Sequence, residues 1–394
     1  MIALSVASPQ SIILQDWGNN KKTWCKRNCS DTFNEASMVE QARQVKAANN
    51  QTKVYVYRAA NVAQPWQESQ RKIMHDPAYA GFFLRCSDGQ IWHRGDSVKK
   101  GSCGGVNMTS SGRLCDYEGA NTMIWNLSNS SASDYFIGEV CMGPLGTGSE
   151  YVDGVYMDDA GPGTHLHPQN EFIDVLRTPT LGMNLSDAEV AQIASATYHT
   201  LMRLRQRLQQ KGKAVWLHGT DFGNPFRDAA YTNCSGDVGL CGWWVFPTAG
   251  DDCSDFYRSR CGQLEHLPLH IKMDRFKRHG GWTVVTNLTV DQGWNLTIAT
   301  MLLLRGPQAY LVPSTWQSTD TKTPLLWSTT LDLQVGKPLE SCKETAPNVF
   351  ERRWSAGFAR VDCNRNPQNN VNAALAFPRK ASQRPANVGS GELP

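Results

Sequence analysis

The order of apolar and polar positions along the chain predicts an alternation of short buried strands with helices. Eight apolar runs of strand length lie at 11–16, 53–58, 122–126, 152–157, 213–217, 241–246, 281–285 and 308–312. Apolar residues recur at helical spacing in 35–48, 132–141, 186–210 and 296–304. Strands that alternate with helices are typical of a parallel sheet, and eight of them are typical of a (β/α)8 barrel.

Local signals place some boundaries inside this pattern. Ser186 precedes a helical run and Glu189 follows three residues later, which is the signature of a capping box. Gly212 is expected to end that helix. Residues 62–118 are too many for one connection, so we expect an elaborated loop with its own small hairpin at the rim of a pocket.

The pattern changes at about residue 321. Short β-like runs lie at 325–333, 349–354, 359–361 and 373–377 without helical segments between them. The sequence therefore predicts a barrel domain over 1–320, a small antiparallel β unit over 321–378 and a flexible tail over 379–394.

Composition indicates a globular protein and excludes several classes. Charged residues make up 19% of the 394 positions and hydrophobic residues 40%, and no run is long enough to span a bilayer. The net charge of +3 is not concentrated in a basic stripe, so we expect no nucleic-acid and no membrane partner. We expect a monomer.

Cysteines and glycosylation sequons favour secretion. Twelve cysteines occur, and close spacings such as Cys234 to Cys241 and Cys253 to Cys261 suggest loop staples rather than zinc ligands. Acceptors of the N-x-Ser/Thr type stand at Asn28, Asn50, Asn107, Asn126, Asn129, Asn184, Asn233, Asn287 and Asn295. We therefore predict an extracellular glycoprotein, although the first residues lack the basic segment of a signal peptide.

Candidate chemistry centres on the run 151–161, where Asp158 and Asp159 follow an apolar strand. Carboxylates at the carboxyl end of a barrel strand face the pocket in barrel enzymes. The alternative is structural, because Asp159 precedes Ala-Gly-Pro-Gly and Asp readily starts a turn.

Three segments resemble one family. Trp125-Asn126 with 127–139 resembles a strand "W-x-(D/N)-x-x-N-P" and its following helix, and 143–159 resembles a strand-four motif "DGVFLDD". The region from Leu331 to Asn364 resembles the segment at the end of the barrel. Together they are similar to secreted glycoside hydrolases with a (β/α)8 barrel of the broad α-amylase/α-galactosidase type. The similarity covers about two thirds of the chain in outline, and Cys363 interrupts its last segment.

The resemblance implies hydrolysis of glycosidic bonds by two carboxyl groups, one as acid and one as nucleophile or base. It assigns the nucleophile to Asp158, with Asp159 holding a loop or a sugar hydroxyl, although these two roles could be exchanged. Asp221 is the first choice for acid/base, since it follows a strand and His218 stands nearby. Asp251 and Asp252 are alternatives, and helix capping is the structural alternative for Asp221.

A sugar site also needs aromatic faces and polar partners. Aromatic candidates near predicted strand ends are Trp17, Tyr57, Trp125, Trp243, Trp244 and Trp316, and the polar candidates are Asp16, Arg58 and His218. Each aromatic residue could equally belong to the core, and Arg58 could instead pair with an acid of the fold.

Three alternatives remain open beside the hydrolase. His165 and His167 could hold a metal with Asp158 and Asp159, and a carboxylate pair could serve a nucleotide-sugar transferase, but the chain lacks a Gly-rich nucleotide motif. A barrel could also bind glycans without cleaving them. Our prediction is a secreted, retaining glycoside hydrolase that acts on an oligo- or polysaccharide without a metal or cofactor.

Overall fold

A computed structural model describes residues 12–15, 34–74, 76–93, 102–103, 122–158, 183, 185–220, 239–243, 253–262, 269–272, 290–305, 309–312, 333–364 and 372–378. The chain divides into two compact units, Met1–Trp243 and Trp244–Pro394. This boundary falls inside the 1–320 segment predicted as one barrel domain, so each unit is described by itself and the predicted domain limits remain a prediction. Among the described residues, no helix is long and apolar enough to cross a membrane.

The first unit contains nine strands and four α-helices among its described residues. In chain order they are β1 (Ile12–Gln15), α1 (Asn34–Ala48), β2 (Lys53–Ala59), β3 (Val62–Ala63), α2 (Glu68–Met74), β4 (Trp92–His93), β5 (Ser102–Cys103), β6 (Met123–Ile124), α3 (Ser130–Tyr135), β7 (Gly154–Asp158), α4 (Asp187–Gln210), β8 (Ala214–Thr220) and β9 (Gly239–Trp243). A 3-10 helix covers Pro77–Phe82, and a π-helical segment, Phe136–Cys141, continues α3.

The main sheet of this unit is parallel and has the order β1-β2-β7-β8-β9. The prediction of a parallel α/β architecture is confirmed in this unit, with β7 in the middle of five strands. One predicted barrel strand is wrong, because β2 pairs directly with β7 and leaves no place for 122–126 between them. That segment instead forms β6 in an antiparallel sheet of order β3-β6-β4-β5.

Helix α1 covers one face of β2. Met38, Ala42 and Val45 follow each other at helical spacing and pack in one cluster with Val54 and Val56, all of them buried. Each of the buried Val and Met side chains contributes about 1.5 to 3 kcal/mol through its removal from water. This face of the sheet therefore forms the core between helix and strand.

The longest helix, α4, follows its sequence signals closely. Ser186 accepts a hydrogen bond from the amide of Glu189, whose carboxylate accepts one from the amide of Ser186 in return, so the predicted capping box is formed. The helix ends before Gly212, which has a φ of 65° that suits glycine. The predicted limits of this helix are confirmed.

The second unit contains α5 (Cys253–Arg258), β10 (Leu269–Lys272), α6 (Val290–Leu304), β11 (Ala309–Val312), β12 (Lys343–Ala346), β13 (Val349–Trp354), β14 (Gly357–Asp362) and β15 (Asn372–Ala376). The last four strands form an antiparallel sheet in chain order, which confirms the predicted C-terminal β unit. Strands β10 and β11 are parallel partners.

The described disulfides of the second unit join segments that are distant in the sequence. Cys253 bonds to Cys363 and Cys261 bonds to Cys342, so both bridges tie the α5 segment to the C-terminal sheet. The predicted staple between Cys253 and Cys261 is therefore wrong, because a short sequence spacing does not reveal which distant segment packs alongside. In the first unit, Cys86 bonds to Cys103.

Closure into a barrel remains a prediction. In the part of the chain that the structure describes, parallel strands form one five-stranded and one two-stranded sheet. The predicted strand at 281–285 lies outside the described residues.

Candidate functional site

One face of the main sheet carries an aromatic layer. Directly paired residues of parallel strands share a face, and the register pairs Tyr57 with Tyr156 and Tyr156 with Trp216. The rings of Tyr57 and Tyr156 are 6.2 Å apart between centroids, and those of Tyr156 and Trp216 are 6.3 Å apart. Tyr55 lies 6.2 Å from Trp216 in an edge-on contact. Four rings from three strands thus cover this face.

Gly154 leaves the space that the Tyr55 ring needs. A Cβ atom at this position would overlap the ring of Tyr55 and the carbonyl oxygen of Ala214 on β8. Glycine at the start of β7 therefore permits both the aromatic layer and the close pairing of β7 with β8.

Asp158 lies at the carboxyl end of β7 on the same face as the aromatic layer. Its side chain is partly buried, and the hydroxyl of Tyr57 donates a hydrogen bond of 3.0 Å to its Oδ2 atom. Its carbonyl oxygen accepts a hydrogen bond of 2.9 Å from the amide of Ala60, which fixes the end of β7 against β2. The Asp158 carboxylate thus accepts a hydrogen bond from a phenol and lies next to the aromatic layer on the same face of the sheet.

The amino end of β7 is fixed by a separate ion cluster. Asp153 accepts hydrogen bonds from Lys53 and from the amide of Val54, and Lys46 of α1 lies 2.6 Å from its Oδ2 atom. Burial favours a higher pKa for Asp153, but these donors together outweigh it and hold the pKa below its ordinary value. Asp153 therefore holds β7 in register with β2, at the opposite end of the strand from Asp158.

Lys213 holds the loop that leads into β7. Its ammonium group donates to the carbonyl oxygens of Thr147, Ser149 and Val152 at 2.6 to 2.8 Å. Burial is the main cause that lowers the pKa of Lys213. The loop and the strand that carries Asp158 are thus positioned together.

Arg58 lies on the opposite face of the sheet and is fully buried. Its guanidinium donates to the carbonyl oxygens of Val140, Tyr57 and Leu145 at 2.7 to 2.8 Å, and it lies 2.8 Å from Oε1 of Glu35. Arg58 therefore has the structural role given above as its alternative, in which it pairs with an acidic residue, here Glu35, inside the fold. The predicted contact with a substrate has no support from this position.

Glu35, which pairs with Arg58, and Glu68 cap each other's helices. Glu68 accepts from the amides of Glu35 and Ala36 in the first turn of α1, while Glu35 accepts from the amide and hydroxyl of Ser69 in α2. Burial raises the pKa of Glu68, although the two amides oppose the shift. The starts of α1 and α2 are therefore held together.

Two of the aromatic candidates are described with their side chains, and both are buried. Trp125 is 2% exposed and its ring packs against Phe83 and Phe136, which is the core alternative for this residue. Tyr57 is 3% exposed, but its hydroxyl reaches Asp158. Of the predicted sugar-binding aromatics with described side chains, only Tyr57 contacts the candidate carboxylate.

The remaining predicted site residues are described in part or not at all. His218 and Trp243 are described by their backbones, within β8 and β9. Outside the described residues lie Asp16, Trp17, Asp159, His165, His167, Asp221, Trp244, Asp251, Asp252 and Trp316. Their assignments stay predictions. Within the described part, one group of metal-ligating residue types occurs, Cys86, Asp88 and Cys103, but its two cysteines form a disulfide.

Sequence reasoning missed Gln64. Its Nε2 atom donates to the hydroxyl of Tyr57 over 3.3 Å, so it lies one hydrogen bond from the residue that contacts Asp158. Gln64 belongs to no recognisable motif. The only sequence feature that could have pointed to it is the spacing of three glutamines at 64, 67 and 70.

No family model matches the chain, and no curated protein matches it. Solved structures resemble it at low identity. Trehalose-6-phosphate hydrolase of Bacillus licheniformis is 10% identical with a TM-score of 0.45, over 78% of this chain and 58% of its own. Sucrose 6F-phosphate phosphorylase of Thermoanaerobacter thermosaccharolyticum is 9% identical with a TM-score of 0.43, over 94% and 100%.

A third structure, the cyclic α-maltosyl-(1→6)-maltose hydrolase of Arthrobacter globiformis, is 11% identical with a TM-score of 0.43, over 83% of this chain and 70% of its own. The chain thus spans less than two thirds of the length of the trehalose-6-phosphate hydrolase. At these values the superpositions establish neither a shared fold nor a shared activity.

Proposed function

We propose that this protein is a secreted glycoside hydrolase in which Asp158 attacks the anomeric carbon and Asp221 is the acid/base. The observation that carries the proposal is the position of Asp158. It is a partly buried carboxylate at the carboxyl end of the central strand, above an aromatic layer and hydrogen-bonded by the hydroxyl of Tyr57. Chemistry on parallel sheets is concentrated at this edge.

The environment of Asp158 favours an attacking group over a proton donor. A phenol that donates a hydrogen bond stabilises the ionised form of a carboxylate and so lowers its pKa. A nucleophile or base must be ionised at working pH, whereas the acid of a glycosidase must hold its proton. The hydrogen bond from Tyr57 thus supports the first role for Asp158.

The order of the strands supports Asp221 as the partner acid. Strands β7 and β8 are parallel neighbours, so their carboxyl ends lie at the same edge of the sheet. In the sequence, Asp221 follows Thr220, the last residue of β8. A retaining mechanism requires carboxyl groups about 5 to 5.5 Å apart, and a wider gap would mean inversion.

Secretion belongs to the same proposal. Three disulfides join described segments, and stable disulfides are typical of oxidising compartments. Retention of these bridges in protein isolated from a culture medium, together with a mass decrease on treatment with N-glycanase, would support an extracellular glycoprotein.

The test is hydrolysis of a panel of aryl glycosides and polysaccharides by the wild type and by Asp158→Asn. We expect release of sugar by the wild type and a loss of at least about 10³-fold in kcat for the variant, because covalent catalysis requires the carboxylate. The melting temperature should change little, since the amide can still accept from Tyr57.

Asp153→Asn is the matched control, because it changes an Asp of the same segment that lies at the other end of β7. It should lose stability and keep kcat. Persistent turnover by Asp158→Asn would refute the assignment. Binding of a glycan without release of sugar by the wild type would show the non-catalytic alternative, and loss of activity with a chelator would favour a metal enzyme.

A further inference from the structure

Three buried glutamines stand behind the Tyr57 hydroxyl. Gln64 is 5% exposed, and Gln67 and Gln70 are fully buried. Glutamine is mostly found at the surface, and a buried amide is costly unless its donor and acceptor atoms are used. Three buried glutamines within seven residues are therefore expected to satisfy one another's amide groups through hydrogen bonds.

The amides are joined in a chain that ends on Asp158. Gln70 Nε2 donates to Gln67 Oε1, Gln67 Nε2 donates to Gln64 Oε1 over 3.1 Å, and Gln64 Nε2 donates to the Tyr57 hydroxyl oxygen over 3.3 Å. The Tyr57 hydroxyl in turn donates to Asp158 over 3.0 Å. Every side chain between Gln70 and Asp158 accepts one hydrogen bond of this chain and donates the next.

The direction of the chain is fixed at its start. The backbone N–H of Gln64, which can only donate, is bonded to Oε1 of Gln70. The amide nitrogen of Gln70 is therefore the atom that faces Gln67, and the same orientation follows for each amide in turn. At the end, the oxygen of Tyr57 already accepts from Gln64, so its own proton is left for a group that accepts.

We propose that Gln64, Gln67 and Gln70 form a positioning relay that orients the Tyr57 hydroxyl, so that its proton points to the Asp158 carboxylate. The inference deepens the proposed function, on which its role in catalysis rests. The glutamines are positioning residues, since they act on Asp158 through Tyr57 and do not touch it. Such a chain of aligned donors strengthens each of its bonds in a buried setting.

Other titratable residues lie on the strands that neighbour this carboxylate. Tyr57 lies on β2 and Tyr156 lies two residues before Asp158 on β7. On β8, Leu217 is the register partner of Met157, and His218 is the next residue along the backbone. A titration of Asp158 is therefore compared between variants that leave Tyr156 and His218 unchanged.

The experiment measures the pKa of Asp158 directly, in the absence of substrate. Protein labelled with carbon-13 at the aspartate carboxyl groups is titrated by NMR, and the Asp158 signal is assigned by its loss in Asp158→Asn. The variants are Tyr57→Phe, which removes the donor, and Gln64→Leu, which removes the last amide of the relay. Tyr55→Phe is the matched control, because it removes a phenol from the same strand and face.

We expect the pKa of Asp158 to rise by about one unit or more in Tyr57→Phe, as for the loss of a hydrogen bond to a charged group. Gln64→Leu should raise it in the same direction by a smaller amount, and Tyr55→Phe should leave it unchanged. If Gln64→Leu does not fold, Gln67→Leu breaks the relay one amide further along. An unchanged pKa in the folded glutamine variants would overturn the relay.

Failure of the relay and failure of the proposed function give different results. A rise in pKa without cleavage of any glycoside would retain the relay and reject the hydrolase. If the protein cleaves glycosides, but the acid limb of its pH profile of kcat/KM does not shift in Tyr57→Phe and Gln64→Leu, the hydrolase is retained and the relay is rejected. When the relay and the hydrolase function are both correct, the acid limb of the pH profile moves to higher pH in both variants. The value of kcat/KM at high pH is then nearly preserved in Gln64→Leu.

Discussion

Replacement of Arg58 by Met tests whether this residue is a structural strut or part of a binding site. The substitution keeps an unbranched apolar stem and removes the guanidinium from a fully buried position. It leaves the carboxylate of Glu35 without its cation and three carbonyl oxygens, of Tyr57, Val140 and Leu145, without their donor.

The cost of this change follows from what is left unpaired. Breaking a buried ion pair by removing one partner costs about 3 to 5 kcal/mol, and each buried polar group without a partner costs about 1 to 3 kcal/mol. The terms overlap, because Glu35 retains the amide and hydroxyl of Ser69. We therefore expect a loss of about 4 kcal/mol, a large part of the typical stability of a domain.

Urea denaturation followed by tryptophan fluorescence measures the loss. Arg43→Met is the matched control, since Arg43 pairs with Glu40 on the exposed side of α1 and its loss should leave the stability nearly unchanged. The double variant Arg58→Met with Glu35→Gln should recover part of the loss, because it removes the orphaned charge.

A loss below about 1 kcal/mol for Arg58→Met would refute the strut. A raised KM for a glycan in a variant of unchanged stability would instead support the binding role that the sequence suggested for Arg58. The two outcomes separate packing from recognition at one residue.

Two further predictions concern the amino end of β7. Gly154→Ala should destabilise the first unit by about 2 kcal/mol or more, measured by thermal denaturation, because the new methyl group overlaps the Tyr55 ring and the Ala214 carbonyl; an unchanged melting temperature would contradict this packing. Asp153 has a lowered pKa in the fold, so its contribution is present above its unfolded pKa of about 3.9 and is lost as pH falls through the folded value. Asp153→Asn should thus be about 1 to 2 kcal/mol less stable than the wild type near pH 7, and this gap should narrow as the pH is lowered; a gap that does not narrow in acid would refute the linkage.

Local signals in the sequence predicted local structure well. The capping box of Ser186 and Glu189 and the stop at Gly212 depend on residues within a few positions, so the pattern contained all that determines them. The end of β7 at Asp158 was predicted for the same reason, because the apolar run stops there.

Pairing between distant segments was not predictable in this way. The run at 122–126 has the apolar character of a buried strand, but its partners β3 and β4 lie about 60 and about 30 residues earlier in the chain, beyond the reach of a local pattern. The partners of Cys253 and Cys261 lie 110 and 81 residues away. The relay behind Asp158 has the same origin, since the glutamines are connected to Asp158 only through Tyr57 of β2, which the fold brings next to Gln64.

The two nested bridges of the second unit have a consequence for limited proteolysis. Cys253–Cys363 encloses Cys261–Cys342, so every peptide bond between Cys261 and Cys342 lies within two covalent rings. A protease that cuts once in this span leaves a nicked molecule whose fragments migrate together until a reductant is added. Intact mass on a non-reducing gel therefore does not prove an intact backbone here.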